Sequence, residues 1–282
     1  MEYQPETLRK LHEIQLSILK DVDDLCTRHD ITYFLDSGTA LGAVRHNGFI
    51  PWDDDIDIGM LRPDYDRFLT VAKEELPAST YRLLIPGETL HYAAMFTKVA
   101  LVGTKFYTQE TIEAGLDMGI FIDVFPYDDL SSDEKTARRQ LSGGRIWQSL
   151  SFLYHSGAVN IPHKGILGRI EAVGCHAVHR LLKATLSKKS IDSHFRAATT
   201  LPNQETPTTR SVAFTYPISG GFDKSRLLPT RKLFFEEREF PVPRDIEYYL
   251  EKLFGTTWQE MPPEDQRRNH APVALELPRS AQ

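Results

Sequence analysis

Cysteine is nearly absent from this 282-residue sequence. Only Cys26 and Cys175 occur, too few for a disulfide framework or a cysteine-rich zinc site. Both fall in helix-like patterns, which points to a reducing, cytoplasmic compartment. No run of about 18 uncharged apolar residues occurs, so no membrane-spanning helix is expected. The opening Met1-Glu2-Tyr3-Gln4-Pro5-Glu6 has neither a basic start nor an apolar stretch, so no secretory leader is expected. Internal repeats and low-complexity tracts are also missing, which excludes solenoids. A broad excess of positive charge is lacking too: the net charge is -6, and residues 1–142 carry 14 Lys/Arg against 25 Asp/Glu. A nucleic-acid-binding domain wants a wide basic face, so no nucleic-acid partner is expected. Residues 143–200 reverse the balance, with 8 Lys/Arg against 2 Asp/Glu. That leaves room for a local anionic contact, including a peripheral one at the inner, cytoplasmic membrane face.

What is present suits a globular chain. Hydrophobic residues make up 41%, aromatics 10% and charged residues 26%, enough to bury a substantial core without staples. Leu8, Leu11, Gln15, Ile18, Leu19, Val22, Leu25 and Cys26 recur at three- and four-residue steps, so a core-facing helix is expected over 5–29. A buried strand over 31–35 follows. Next comes Asp36-Ser37-Gly38-Thr39, where a hydroxyl can cap a short helix over 40–46. Asn47-Gly48 is a turn pair. Asp55-Ile56-Asp57-Ile58 alternates like a half-buried strand, and Pro63-Asp64 opens a helix over 64–75. Strands are expected over 81–85, 94–100 and 119–125, giving a mixed sheet. Residues 131–200 read as helical, with Ile166, Leu167, Ile170, Val173, Ala177, Val178, Leu181 and Leu182 on one side of an amphipathic run. Strands near 211–216 and 232–240, a helix over 245–254 closed by Gly255, and a Pro-rich tail complete the pattern. The expectation is an α+β fold: a single catalytic domain over 1–282, a mixed β-sheet flanked by helices, and a mostly helical insertion at 131–200.

The densest chemical signal is Trp52-Asp53-Asp54-Asp55-Ile56-Asp57. Four carboxylates within five positions repel one another unless a cation or solvent neutralises them. On an extended strand, Asp53, Asp55 and Asp57 share one face and offer hard oxygen ligands suited to Mg2+ or Mn2+. A solvated acidic turn is the alternative. The EF-hand reading fails, because its sixth position is Ile58 where that loop turns on glycine. A phosphatase-type aspartate is weakly supported, while a glycosyltransferase D-x-D remains open. Gly38-Thr39 forms a hydroxyl-bearing turn at a helix start, where free N–H groups and the dipole favour phosphate. Asp123 stands alone in an otherwise apolar strand, either as a third metal carboxylate or as a turn cap or the partner of a lysine.

Three strings carry a family resemblance: Gly38-Thr39-Ala40-Leu41-Gly42-Ala43-Val44-Arg45, Gly48-Phe49-Ile50-Pro51-Trp52-Asp53-Asp54-Asp55-Ile56-Asp57-Ile58-Gly59 and Ile122-Asp123-Val124-Phe125-Pro126. Together with Phe240-Pro241-Val242-Pro243, they make the sequence resemble the LicD phosphotransferase family, which includes the fukutin-related enzymes. The cysteine-rich zinc loop of the fukutin-related branch has no counterpart here. The resemblance implies a nucleotidyltransferase-like fold. It also implies transfer of a phospho-alcohol, foremost phosphocholine, from a CDP-alcohol donor to a sugar hydroxyl of a glycan or lipid-linked glycan acceptor. By that resemblance Asp55 and Asp57 are the metal pair, with Asp53 beside them and Asp123 as the third carboxylate, a base or a bridging ligand. Asp55, Asp57 and Asp123 are then the catalytic residues. Gly38, Thr39, Arg45, Trp52 and Lys98 are candidates for holding the donor. His270 matches a histidine near the family's C-terminal end, while Tyr216 and Gly220-Gly221 are candidates for an acceptor loop. A choline headgroup favours an aromatic cage, for which Tyr33, Trp52, Phe96, Tyr107 and Trp147 are available. True nucleotidyl transfer, sugar-nucleotide glycosyl transfer and a non-catalytic glycan scaffold are the rival readings.

Overall fold

The computed structural model describes residues 3–157, 165–201, 208–216, 220–267, 269–270 and 272–278. Helix α1 (Pro5–Arg28) opens with proline in its first turn and buries Leu11, Ile18, Leu19, Val22, Leu25 and Cys26, the stripe expected from the sequence. Strand β1 (Phe34–Leu35) is shorter than expected, because only these two residues pair with the next strand. Helix α2 (Ser37–His46) starts three residues earlier than expected. Asp36 is the cap: its carboxylate accepts the Ser37 N–H at 2.7 Å, so no hydroxyl is needed there. Strand β2 (Asp57–Leu61) begins two residues later than expected and runs into α3 (Arg62–Glu75).

Next come β3 (Tyr81–Leu84), β4 (Thr97–Leu101), β5 (Lys105–Tyr107), the short α4 (Gln109–Ala114) and the long β6 (Phe121–Leu130). Between β6 and β7 (Arg210–Val212), the described chain forms α5 (Glu134–His155), α6 (Gly165–Thr185) and α7 (Lys188–Thr199). The side chains of Ile166, Leu167 and Ile170 lie outside the described residues. Strand β8 (Phe222–Asp223), α8 (Lys224–Leu227), β9 (Arg231–Phe235), β10 (Arg238–Val242), α9 (Ile246–Phe254) and β11 (Ala274–Glu276) follow. The single strand expected over 232–240 is instead a hairpin of β9 and β10, turned where Glu236 takes a left-handed φ of 55°. The tail contributes β11, which pairs with β5; nothing in its proline-rich composition announced a strand.

The main sheet has the order β1-β2-β6-β4-β3, with β7 and β8 continuing from the far half of β6. Among the described residues only β2 and β6 pair in parallel, and the other pairings of this sheet are antiparallel. The fold is therefore a mixed α+β one, a curled sheet flanked by nine α-helices among the described residues. Ile56, Ile58, Met60, Val99, Ile122 and Val124 are fully buried at its centre. Gly59 is required by packing: a Cβ there would come within 2.6 Å of the Phe34 ring and 2.8 Å of the Tyr127 ring.

Candidate active site

The register of three strands sets the core of the site. Asp57 on β2 pairs with Asp123 on β6, and Asp123 pairs with Lys98 on β4. Side chains at paired positions share a sheet face, so two carboxylates and one ammonium stand in a row. Lys98 Nζ donates to both oxygens of Asp123, at 2.6 and 2.8 Å, and lies 3.5 Å from the centroid of the Phe121 ring. Burial pushes Asp123 up to about 6, against the pull of Lys98. Burial, followed by the charges of Asp55, Asp123, Asp36 and Asp53, pushes Asp57 well above the usual carboxylate range.

The acidic loop does not extend β2. The alternation expected to align Asp53, Asp55 and Asp57 fails because the strand starts at Asp57, and the Asp53 N–H closes a turn onto Ile50 O at 2.9 Å. Helix α1 supports this loop from below: His12 Nε2 lies 2.7 Å from Asp53 O, and the Gln15 amide donates to Asp54 O at 2.8 Å. Asp54 turns inward and is fully buried. It accepts the Tyr3 hydroxyl at 2.7 Å, the His270 N–H at 2.9 Å and an approach by His270 Nδ1 at 3.0 Å. Although burial opposes it, these bonds hold Asp54 below the usual carboxylate range. His270 is raised to about 9 by its bond to Asp54 and by Asp55, whose Oδ2 lies 3.5 Å from Nδ1.

The start of α2 meets the same loop. A Cβ on Gly38 would lie 2.8 Å from Asp53 Oδ2, so glycine lets that carboxylate rest against the helix's first turn, where the dipole favours negative charge. Burial, then Asp55 and Asp54, still push Asp53 up to about 8. The Thr39 hydroxyl accepts the Asp57 N–H at 2.8 Å and so locks the first residue of β2 to α2. Beneath it, the buried Asp36 carboxylate accepts the hydroxyls of Tyr127, at 3.0 Å, and Tyr249. Tyr3, Asp36, Asp54, Tyr127 and Tyr249 all support the site; Asp54 was visible in the sequence only as one member of the acidic run, and the other four carried no functional signal. The inward-facing phase of Asp54 between Asp53 and Asp55 was the one available hint.

Gly38, Thr39, Asp53, Asp55, Asp57, Asp123 and Lys98 are thus linked through direct contacts or shared register. Arg45 instead donates to the carbonyls of Trp258 and Glu260, at 3.3 and 3.1 Å. Trp52 is half-buried beneath the Arg267 guanidinium, 4.6 Å from its ring. Of the other aromatic candidates, Tyr33 donates to Asp23, Tyr107 donates to Asp117 and Trp147 stacks on His194. Phe96 lies beside the row, with Tyr216 6.5 Å from it. Lys252 Nζ donates to Gly221 O. The chemistry on offer is that of hard oxygen donors crowded enough to raise one another's pKa, which suits a divalent cation. Among the described residues, Asp54, Asp55 and His270 bring one ligand-type atom each within 4.8 Å of one another. No other set of three such groups among the described residues meets that spacing.

Residues 30–140 match the family described as LicD/FKTN/FKRP, nucleotidyltransferase domain. Over 283 positions, spanning 96% of this chain and 98% of the relative, the sequence is 28% identical to the lipopolysaccharide cholinephosphotransferase LicD of Haemophilus influenzae. A stretch of 51 residues is 51% identical to an uncharacterized protein of Rickettsia typhi, covering 18% of this chain and 16% of that one. Another of 47 residues is 53% identical to an uncharacterized protein of Rickettsia prowazekii, covering 17% and 18%.

Proposed function

The chain carries a LicD family domain, and from that premise we propose that it is a divalent-metal-dependent phosphotransferase. It moves phosphocholine from CDP-choline to a sugar hydroxyl of a cell-surface glycan or its lipid-linked precursor, releasing CMP. The observation that carries this reading is the meeting of the acidic loop, whose Asp55 lies with Asp54 and His270 within 4.8 Å of one another, with the register row of Asp57, Asp123 and Lys98. Relatedness along the whole length to a lipopolysaccharide cholinephosphotransferase supports the choice of cargo.

Asp53, Asp55 and Asp57 would hold Mg2+ or Mn2+. Once bound, the ion neutralises charge on the donor diphosphate and on the phosphoryl group in transfer. The dipole at the start of α2, around Gly38 and Thr39, would add to the pull on the same anion. In the proposed step, the acceptor oxygen forms a bond to the phosphorus that bears choline. The bond from that phosphorus to the bridging oxygen breaks, and its electron pair leaves with CMP. The hydroxyl proton passes to Asp123. With its pKa near 6, Asp123 is mostly ionised at neutral pH and suited to act as a base. Lys98 orients it and supplies its counter-charge.

Residues 1–282 then act as one catalytic domain at the cytoplasmic membrane face. No helix among the described residues is long and apolar enough to cross a membrane. A surface contact through α6 has support in its exposed Val173 and Leu181, on a helix that also exposes Arg180 and Lys183.

The test is to incubate the protein with CDP-choline and a glycan acceptor, with Mg2+ or with chelator, and to weigh both products. CMP together with a phosphocholine-bearing glycan upholds the reading. A nucleotide-bearing product indicates nucleotidyl transfer instead. Undiminished CMP release by an Asp55→Ala, Asp57→Ala double variant would sink the metal assignment.

A further inference from the structure

A path leads from the carboxylate row to the helices between β6 and β7. The pocket that has Lys98, Asp123 and His270 in its lining also has His91, Ala114 and His155, and those last three residues line a larger cleft of about 590 Å3 as well. The two spaces therefore share a boundary. The cleft is framed by the segment after β3, the end of α5, the end of α6 and α7.

The fixed charges around this cleft do not balance. Lys183, Lys188, Lys189 and Arg196 face only two carboxylates, Glu88 and Asp192. Both carboxylates are already paired, Glu88 with Lys73 of α3 at 2.8 Å and Asp192 with Lys188. Lys183, Lys189 and Arg196 make no ion pair with any described residue. Lys188 and Lys189 moreover occupy the first turn of α7, which holds no acidic residue. The dipole there opposes positive charge, so cations gathered at that end are stabilised by an anion brought from outside.

We propose that the cleft is a subsite for an acidic group of the acceptor, a phosphate or carboxylate borne on a sugar next to the one that is modified, held by Lys183, Lys189 and Arg196. The proposal rests on the phosphotransferase reading and deepens it by making the acceptor an anionic glycan. The donor is the less suitable occupant. Its diphosphate belongs with the metal, and none of Gly38, Thr39, Asp53, Asp55 or Asp57 lines either space. Asp123, which takes the acceptor's proton, lines the connecting pocket. A guanidinium pairs bidentately with phosphate or carboxylate, whereas a neutral glycan leaves all three cations without a counter-charge.

The experiment follows transfer from CDP-choline to a deacylated lipopolysaccharide core oligosaccharide that is intact, phosphatase-treated or carboxyl-reduced. Wild type is compared with a Lys189→Gln, Arg196→Gln double variant. A control variant, Lys135→Gln, Arg138→Gln, removes equal charge from exposed positions at the opposite end of α5. Circular dichroism checks each fold, and calorimetry measures oligosaccharide binding. The KM for the intact acceptor should rise about tenfold in the cleft variant, with kcat and the KM for CDP-choline unchanged and the control matching wild type. Removal of the acid group that the cleft holds should raise the wild-type KM equally and add nothing in the cleft variant; the two treated acceptors tell phosphate from carboxylate. An unchanged acceptor KM in the cleft variant, or an equal rise in the control, overturns the subsite and leaves the transferase reading intact. If the cleft variant keeps its acceptor KM but loses co-sedimentation with phosphatidylglycerol-containing vesicles, the subsite is likewise overturned in favour of a lipid headgroup. Oligosaccharide binding that needs the acid group and is lost in the cleft variant, without CMP release by wild type, upholds the subsite and overturns transfer.

Discussion

Lys98 and Asp123 face each other across β4 and β6, the ammonium within 2.8 Å of both carboxylate oxygens and both groups largely removed from water. Among the described residues neither charge has another compensating partner so close. Lys98→Met is therefore expected to lower unfolding free energy by about 3–5 kcal/mol. The double variant Lys98→Met, Asp123→Asn should recover part of that loss, and urea unfolding of all three proteins measures the cycle. Activity should fall about 10²–10⁴-fold in Asp123→Asn alone; near-normal turnover there would remove Asp123 from the role of base.

Gly38 makes a sharper test of the acidic loop, because its backbone needs no special conformation and the constraint is purely one of space. Gly38→Ala places a methyl 2.8 Å from Asp53 Oδ2 and must displace that carboxylate from the start of α2. The Mg2+ concentration giving half-maximal CMP release should rise about tenfold, with the thermal midpoint nearly unchanged. An unaltered Mg2+ requirement would detach Asp53 from the metal.

Acid stability should depend on His155. Its ring is buried, and burial together with Lys188, Lys183 and His91 lowers its pKa to about 4, while Ser151 O opposes them. An unfolded histidine titrates near 6.5, so between those values the unfolded chain binds the proton and the folded one does not. The stabilisation is complete above pH 6.5 and is lost as pH falls through 4. The difference in thermal midpoint between wild type and His155→Gln should shift against the wild type over that window and stay flat from pH 7 to 8. A constant difference throughout would refute the assignment.

The proposed contact with anionic lipid is tested most directly on α6. Leu181 is 61% exposed although it is a large aliphatic side chain. Leu181→Asp should reduce co-sedimentation with phosphatidylglycerol-containing vesicles about tenfold, leaving CMP release from soluble CDP-choline unchanged. Equal sedimentation of both proteins would remove α6 from the membrane contact.

Much of this architecture could be read along the chain. The stripe of α1 and the helices between β6 and β7 follow the 3.6-residue period, which depends on neighbours within one element. Asp57, Asp123 and Lys98 were each visible as polar residues inside apolar strands, but their alignment depends on strand register, a non-local property. The loop before β2 misled for a physical reason. Alternation of Asp and Ile suggested an extended strand, whereas contacts from α1 and His270 hold residues 53–56 as an irregular segment after the turn at Pro51-Trp52 and draw Asp54 inward. The hydroxyl cap failed likewise, since Asp36 caps α2 while also accepting Tyr127 and Tyr249 from distant parts of the chain. The roles of Arg45 and Trp52 turn on residues 258–267, more than 200 positions away, and no local pattern reports such contacts.

Asp54 is gripped by Tyr3, 51 positions upstream, and by His270, 216 positions downstream. The acidic loop is thereby fastened to two segments far apart along the polypeptide. During synthesis, the ribosome must release residue 270 from its tunnel before the second fastening can form, long after β2 and β6 have emerged. Until then four neighbouring carboxylates lack their imidazolium, so a partly made chain carries the strands of the site without its finished charge pattern. The segment around His270 is in this sense a completion signal for chemistry encoded far upstream of it.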